Sequence, residues 1–220
     1  ASNLLALAQW IGENTGATVG YLTEAANTVG AQWVGAMPTA EGLNAAQMLA
    51  GGLHCALLLN TEPQWDSAVG AQAVAALGKV DMVITMSPFK ANMEFSDVLL
   101  PIAPFTETSG SFINAEGRVQ SFHAVVKPLG ETRPGWKILR VLGNLLGLSN
   151  FDFETSQEIL TKAVNVPSGG LLDMSTRRVQ AQTLTSPAQA GEPVVASIYQ
   201  LDGIVRRATS LQLTADARLA

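Results

Sequence analysis

A short segment in the middle of the chain carries the side chains most able to do chemistry. It is T-S-G-S-F-I-N-A-E-G-R-V-Q, residues 108–120, and it holds an amide, a carboxylate and a guanidinium, while the chain around it is mostly Ala, Leu and Val. The amide and the guanidinium, Asn114 and Arg118, could together bind a ligand. The same residues could instead stabilise a sharp turn, because Asn and Gly adopt the positive φ angles that such a turn requires.

Two features of this segment favour the structural interpretation. An Asn114 side chain bonded to the backbone of the turn satisfies N–H groups that would otherwise be buried without partners. An isolated arginine in so apolar a chain also needs a carboxylate near it, and Glu116, Asp97 and Glu107 are candidates. We therefore expect Asn114 to hold the turn, and Glu116 and Arg118 to pair locally or with Asp97 or Glu107.

A second candidate ligand site is the segment N-T-E-P-Q-W-D, residues 60–66, directly after an apolar run of strand length. Ligands of doubly wound sheets bind at the carboxyl ends of the strands. A phosphate-binding loop offers glycines and free N–H groups at a helix start, whereas this segment offers Glu62, whose charge repels phosphate, and Pro63, which has no N–H. The chain also lacks a G-x-G-x-x-G motif and a Walker lysine loop. We therefore expect no phosphate-binding loop here.

Side chains that could bind a metal are few. Cys55 is the only cysteine, and His54 and His123 are the only histidines. Iron–sulfur clusters and structural zinc sites need several Cys or His ligands, so we expect no metal site and no disulfide. We interpret His54 and Cys55 as residues that pack at the start of a strand. This cysteine usage is typical of a reducing compartment.

Charge and hydropathy argue against two classes of function. The 220 residues have a net charge of −5, and the 13 Lys and Arg are scattered, so a nucleic-acid partner is not expected. No apolar run reaches the ~18 residues needed to cross a bilayer, and no signal-peptide pattern is present.

Only 14% of the residues are charged and the mean hydropathy is +0.22, which favours a surface partly buried against other proteins. The chain starts at Ala1 without Met, and we expect it to be a fragment or a processed product.

The elements that position these side chains begin as alternating helices and strands. Periodic apolar residues predict helices over residues 2–15, near 41–52 and near 66–78. Buried strands are predicted in L-H-C-A-L-L-L-N, V-D-M-V-I-T-M and S-D-V-L-L-P, whereas residues 18–35 show no clear period. Continuous apolar strands separated by helices indicate a parallel sheet covered on both faces. The predicted fold class is therefore α/β, with a doubly wound, mostly parallel sheet.

Beyond Pro104 this alternation stops. Residues 112–128 predict an extended, hairpin-like excursion with A-E-G-R at its turn. The segment after Pro134 predicts an amphipathic helix, and residues 154–164 predict another short helix. The residues expected to face inward on the first of these helices are Trp136, Leu139, Leu142, Leu145 and Leu146.

The C-terminal part is predicted to be a small appendage. Residues 167–193 are rich in Ser, Gly, Thr, Gln and Pro and predict a mobile surface excursion. The last apolar segment predicts a strand and turn that pack back on the domain. We therefore predict an α/β domain at 1–150, followed at 151–220 by a C-terminal helix, a flexible excursion and a docking tail.

The order and spacing of these motifs resemble the third domain of the molybdopterin oxidoreductases. The family pattern runs as A-D-V-V-L-P, an E, G-T-x-x-N-x-E-G-R-x-Q and then R-x-x-W-x-I-L. The matching residues here are Asp97, Pro101, Glu107, Gly110, Asn114, Glu116, Gly117, Arg118, Gln120, Arg133, Trp136 and Ile138. The resemblance is specific over about residues 95–148, and A-S-N-L-L-A-L and A-A-N-T-V-G-A also fit the family's entry to this domain.

Within that superfamily the chain is similar to the molybdopterin oxidoreductase-like subunit of bacterial NADH:quinone oxidoreductase, respiratory complex I. Catalytic members carry a G-x-N-P loop where the pterin dinucleotide sits, and this chain has N-T-E-P at 60–63, which removes the glycine and adds a charge. The C-terminal Y-Q-L-D-G-I-V-R-R-A-T-S-L-Q is similar to the tail of that respiratory subunit.

This resemblance implies a structural and assembly domain with no catalytic residue and no cofactor of its own. It implies iron–sulfur clusters in the N-terminal part of the parent subunit, which this chain lacks. The implied partners are the other subunits of the respiratory complex, and the implied location is peripheral, at the cytoplasmic side of the bacterial inner membrane, without insertion.

Two alternatives remain at this point. The chain could be part of a true molybdopterin-dependent oxidoreductase such as a formate dehydrogenase, in which Asn114 and Arg118 would contact a pterin phosphate or the pyranopterin edge. It could also be an unrelated nucleotide-binding α/β domain, although the missing glycine loop argues against that.

Overall fold

The structure of the protein, a computed structural model, describes residues 2–23, 25–39, 41–174 and 197–219. The chain forms two compact units that are interleaved in sequence. The first contains the described parts of residues 1–37, 108–125 and 143–190, and the second those of 38–107, 126–142 and 191–220. None of the helices in the described ranges combines the length and the apolar composition that crossing a bilayer requires.

The described helices and strands follow the predicted order closely. The helices are α1 (Ser2–Thr15), α2 (Thr28–Trp33), α3 (Ala45–Leu49), α4 (Pro63–Asp66), α5 (Gly70–Leu77), α6 (Gly135–Leu145), α7 (Ser156–Val164), α8 (Gly203–Arg206), α9 (Thr209–Gln212) and α10 (Ala215–Leu219), with a 3₁₀ turn at Phe105–Glu107. The strands are β1 (Cys55–Leu59), β2 (Met82–Ser87), β3 (Val98–Pro101), β4 (Gly110–Ile113) and β5 (Val119–Phe122).

The second unit is built on a parallel three-stranded sheet in the order β1-β2-β3. Cys55 lies opposite Met82, and Ile84 lies opposite Val98. The helices α4 and α5 follow β1 and lead to β2, as expected for parallel strands, which need a crossover connection. The predicted mixed α/β fold with a parallel sheet is therefore confirmed.

Burial is uneven across this sheet. Ala56, Leu77 and Val83 form a buried cluster between β1, α5 and β2, and β2 is buried along most of its length. Leu57 and Leu59 on the other face of β1 are exposed. The expectation that both faces are covered is therefore only partly met at β1, where Leu57 and Leu59 are 43% and 45% exposed, although Gly135 at the start of α6 lies close to the Leu59 side chain.

The first unit is built on the antiparallel hairpin of β4 and β5. Gly110 lies opposite Phe122 and Ile113 lies opposite Val119. Ile113, Val119 and Leu172 form its buried core, and side chains of α2 and α7 pack against them. The predicted hairpin excursion with a turn at A-E-G-R is present.

The segment after α7 extends this hairpin. Gly169 donates its N–H to the Val119 carbonyl (2.7 Å), and Leu172 donates to the Gly117 carbonyl (2.9 Å). The predicted surface excursion from 167 onwards therefore begins as an ordered segment, since residues 169–172 form backbone hydrogen bonds with Gly117 and Val119 of the hairpin. Residues 175–193 of that predicted excursion lie outside the described residues.

Three other expectations differ from the structure. Residues 28–33 form α2 although no periodicity predicted a helix there. Leu145 and Leu146 are 80% and 67% exposed rather than inward, because they lie at the C-terminal end of α6, beyond its packed turns. The tail after residue 202 begins with the helix α8 rather than a strand, since the Asp202 carboxylate caps it by accepting the N–H groups of Ile204 and Val205.

Candidate functional site

The loop that follows β1 occupies the carboxyl edge of the parallel sheet. Asn60 adopts a left-handed conformation (φ 49°) and donates its N–H to the Met86 carbonyl (2.8 Å). Asn92 donates from its side chain to the Thr61 carbonyl (2.9 Å). These bonds turn the chain directly after the strand, so that Glu62 precedes the buried Pro63 at the start of α4.

Glu62 is bound by two arginines of the C-terminal tail. Arg207 donates two parallel hydrogen bonds to its carboxylate, from Nη1 to Oε1 (2.8 Å) and from Nη2 to Oε2 (3.0 Å). Arg206 places Nη1 at 3.5 Å from Oε1. The side chains of Glu62 and Arg206 are only 14% and 7% exposed. Bidentate arginine–carboxylate pairs, such as that of Arg207 with Glu62, are among the stronger charge-assisted hydrogen bonds.

Further contacts hold both guanidinium groups in place. Arg206 donates to the Asp66 carboxylate and, from Nε, to the Gln200 carbonyl. Arg207 lies over the ring of Phe89, with its guanidinium carbon 4.0 Å from the ring centroid. Two carboxylates and two guanidinium groups therefore balance each other at this edge, and we call Glu62, Asp66, Arg206 and Arg207 the ion cluster.

The ion cluster was not predicted from the sequence. Considered alone, the loop at 60–66 presents Glu62 as a free charge that repels phosphate, whereas the structure neutralises that charge with residues about 140 positions away. Two signals could have pointed to the cluster: the carboxylate next to an apolar strand requires a cation, and the adjacent arginines of an otherwise apolar tail require acids.

The Asn114 side chain bonds to the backbone of the hairpin turn, as predicted. Its side-chain oxygen accepts the backbone N–H of Glu116 (3.0 Å) and that of Arg118 (2.9 Å). Gly117 follows with φ of +82°, in the left-handed region that favours glycine, and a Cβ there would lie 2.9 Å from Cγ of Met174. Asn114 and Gly117 thus together stabilise the turn that reverses the chain between β4 and β5.

Arg118 does not make the predicted local ion pair with Glu116. Glu116 is exposed, and the Arg118 guanidinium donates a long hydrogen bond to the Gly169 carbonyl (3.4 Å). Within the described part of the chain, Arg118 has no carboxylate within ion-pair distance in its own unit. The alternative pairing with Asp97 or Glu107, which belong to the other unit, stays a prediction.

Arg118→Ala should therefore cost little stability. We expect the free energy of unfolding to fall by about 1 kcal/mol or less, because a long hydrogen bond to a carbonyl is lost and no ion pair within the hairpin unit goes with it. Urea denaturation followed by circular dichroism measures this. A loss above about 3 kcal/mol would indicate a buried ionic partner for Arg118.

Two more residues of the family motif support the same hairpin. A Cβ on Gly110 would lie 2.8 Å from the Phe122 ring, so only glycine leaves room for that side chain. Gln120 is exposed and lies opposite Phe112. Both belong to the first unit, whereas the ion cluster belongs to the second.

The remaining motif residues lie in the second unit and bond to its backbone. Asp97 accepts the N–H of Val83 (2.7 Å), and Glu107 accepts that of Leu129 (2.9 Å). Arg133 accepts the N–H of Ala103 with its carbonyl (2.8 Å), and its side chain lies 3.8 Å from exposed Glu131. Trp136 is half-buried in the first turn of α6, with the Lys137 ammonium 5.3 Å from its ring centroid.

The histidine and cysteine at the start of β1 are exposed rather than packed. Nδ1 of His54 lies 2.7 Å from the Asp81 carboxylate, and both side chains are mostly solvated. Cys55 is also exposed, because the first residue of β1 points to the uncovered face of the sheet. Among the described residues, no group of three or more His, Cys, Asp or Glu side chains could hold a metal ion.

The fold and the motif define the class of this protein. It is an α/β protein with a parallel sheet and an antiparallel hairpin, and the family model of the molybdopterin oxidoreductases matches residues 1–145. The chain belongs to the molybdopterin oxidoreductase family.

Two curated relatives that match part of this chain are named as oxidoreductases. The chain is 36% identical over 87 residues to a Staphylococcus aureus (strain bovine RF122 / ET3-1) protein named "putative formate dehydrogenase", a match that covers 39% of this chain and 9% of the relative. It is 36% identical over 93 residues to the "probable oxidoreductase YjgC" of Bacillus subtilis (strain 168), a match that covers 42% of this chain and 9% of the relative. The match thus spans about a tenth of the length of the curated relatives.

Proposed function

We propose that this chain is a structural and assembly domain, without a cofactor of its own, in the electron-input subunit of a respiratory NADH:quinone oxidoreductase. In this proposal the parent complex transfers electrons from NADH to quinone, and the chain positions other parts of that complex. Its partners are the other subunits, and its location is peripheral, at the cytoplasmic side of the bacterial inner membrane. The iron–sulfur clusters belong to another part of the parent subunit.

The observation that carries this proposal is the contact between Glu62 and the tail. Two sequence features favour the respiratory subunit over a catalytic family member: the charged loop at 60–63 and the tail with Arg206 and Arg207. The ion cluster joins these two features through bidentate hydrogen bonds. The Glu62 carboxylate precedes α4 at the carboxyl edge of the sheet, where ligands of such sheets bind, and its negative charge disfavours a phosphate group there.

A second candidate is a molybdopterin-dependent oxidoreductase of the formate dehydrogenase type. The name of the Staphylococcus aureus relative favours it. In that case the parent enzyme binds a pterin cofactor with help from this domain, and Asn114 and Arg118 are candidate contacts. The side-chain oxygen of Asn114 already accepts two N–H groups of its own turn, so only its NH2 group is left to donate to a ligand.

Elemental and pterin analysis of the purified parent protein separates the two candidates. We expect iron but no stoichiometric molybdenum, tungsten or pterin, together with NADH oxidation coupled to quinone reduction in the assembled complex. We expect the 220-residue chain alone to lack an absorption band above about 400 nm and to oxidise no NADH, because its single cysteine cannot hold a cluster. Stoichiometric molybdenum with pterin, and formate oxidation, would establish the second candidate instead.

A further inference from the structure

One lateral edge of the parallel sheet has no neighbouring strand in the described part of the chain. The strand order β1-β2-β3 places β1 at that edge. The carbonyl of His54 and the N–H of Asn60, on either side of β1, bond to β2. Because backbone groups alternate in direction along a strand, the N–H groups of Cys55, Leu57 and Leu59 point away from β2.

The sequence of β1 is typical of a strand inside a parallel sheet rather than at its edge. C-A-L-L-L is a continuous apolar run, and such runs belong to parallel strands that are covered on both faces. Natural edge strands carry charges, proline or bulges that discourage pairing, whereas β1 has no charge, no proline and no break in its register with β2. Its side chains of Cys55, Leu57 and Leu59 are exposed.

The opposite edge of the same sheet is protected by the chain itself. The strand β3 ends in Pro101, and proline is characteristic of sheet edges. The next residue, Ile102, forms a parallel bridge with Arg133, and Ala103 donates its N–H to the Arg133 carbonyl (2.8 Å). The two edges therefore differ, and the β1 edge is the one suited to pairing.

We propose that the β1 edge binds an extended apolar strand from a part of the same polypeptide outside these 220 residues, which runs parallel to β1 and continues the sheet. An extended strand is the partner that satisfies a row of outward backbone N–H and C=O groups. A parallel direction matches β1, β2 and β3, which are all parallel. Pairing at this edge is independent of which candidate function the parent protein has.

The size of the edge favours a linked segment over a second copy of this chain. The strand β1 has five residues, so two copies paired through β1 alone form a small contact, whereas stable interfaces bury at least roughly 1,200 Å² in total. A segment of the same polypeptide pairs more readily, because covalent linkage raises its effective concentration. The matched part is 9% of each curated relative, so relatives of this length have chain to supply such a strand.

Amide hydrogen exchange tests this pairing residue by residue. In the 220-residue chain the outward amides of Leu57 and Leu59 should exchange quickly, whereas the Leu58 amide, which points to β2, should be protected and serves as the control. In the parent protein we expect both outward amides to exchange at least about tenfold more slowly, because each gains a strand neighbour. Outward amides that exchange equally fast in both proteins, or that become protected as the 220-residue chain is concentrated, would overturn the proposal.

Leu57→Pro compared with Leu57→Ala isolates the contribution of the backbone. Both variants remove apolar surface, but only proline removes the outward N–H. Edge positions with a free N–H tolerate proline, so the two variants of the 220-residue chain should melt at similar temperatures. In the parent protein the proline variant should melt about 2 °C or more below the alanine variant, and equal melting there contradicts the pairing. If the 220-residue Leu57→Pro chain does not fold, the exchange rates of the unsubstituted proteins decide.

A photoreactive amino acid in place of Cys55 identifies the source of the strand. In the parent protein it should cross-link to a peptide outside these 220 residues, and the mass on a denaturing gel should stay that of one polypeptide. A cross-link to another subunit or to a second copy would overturn the assignment of the strand to the same polypeptide.

Discussion

Replacement of Met86 by Ala should destabilise the second unit by about 2–5 kcal/mol, the usual loss when a large buried side chain is truncated. Met86 lies in β2, the central strand of the parallel sheet, and its side chain is fully buried at 0% exposure. Truncation removes buried apolar surface and leaves a cavity that a close-packed sheet cannot fill by relaxation.

The same strand offers a matched control. Met82 begins β2 and is 44% exposed, so Met82→Ala removes the same atoms without leaving a cavity. We expect that variant to lose about 0.5 kcal/mol or less. Chemical denaturation followed by far-UV circular dichroism compares the two. Equal losses would mean that β2 is not the centre of the core.

The backbone carbonyl of Met86 links β2 to the loop that follows β1. It accepts the N–H of Asn60, the first residue after β1, so β2 supports the loop that leads to Glu62. A core packing defect at Met86 should therefore also loosen the ion cluster. Faster tryptic cleavage after Arg206 in Met86→Ala than in Met82→Ala would report this coupling.

The regular elements were predictable where the local sequence and the tertiary packing agree. The strands β1 and β2 are short continuous apolar runs next to glycines or turn formers, and such runs are typical of a parallel sheet. The hairpin turn was predictable because Asn114 and Gly117 are residue types that favour sharp turns. In these segments each local preference matches the fold.

The helix α2 shows why some elements could not be predicted. Its sequence, T-V-G-A-Q-W, has a glycine in the middle and no apolar period, and glycine disfavours a helix interior. Contacts from distant parts of the chain stabilise the helix instead. Asn27, which precedes it, accepts the N–H of Ile113 in β4 (2.9 Å), and Val29 and Trp33 pack on the core of the hairpin unit.

Which acids pair with Arg206 and Arg207 was unpredictable for a related reason. The apolar, β-branched residues of the tail favour a strand when they are considered alone. Their conformation is set by contacts between Arg206 or Arg207 and acids about 140 residues earlier in the chain. Local sequence carries no information on such a pairing, whereas the family motif located the hairpin residues because they bond to neighbours a few positions away.

Asn114→Ala should lower the free energy of unfolding of the hairpin unit by about 1–3 kcal/mol, because two backbone hydrogen bonds of the turn are lost. The Asn114 oxygen accepts two N–H groups, of Glu116 and Arg118, at 3.0 and 2.9 Å. Alanine offers no acceptor, and the turn cannot move towards another one while Gly117 keeps its left-handed conformation against Met174.

Asn114→Asp provides the control, because a carboxylate oxygen can accept the same two N–H groups. We expect it to keep most of the stability that the alanine variant loses, since aspartate forms the same type of turn. Thermal and urea denaturation of the three proteins measures the difference. Unchanged stability in Asn114→Ala, together with loss of binding of an added nucleotide or pterin, would show that this hairpin binds a ligand. We expect the opposite result, because the Asn114 oxygen accepts two N–H groups of its own turn, and alanine leaves both without an acceptor.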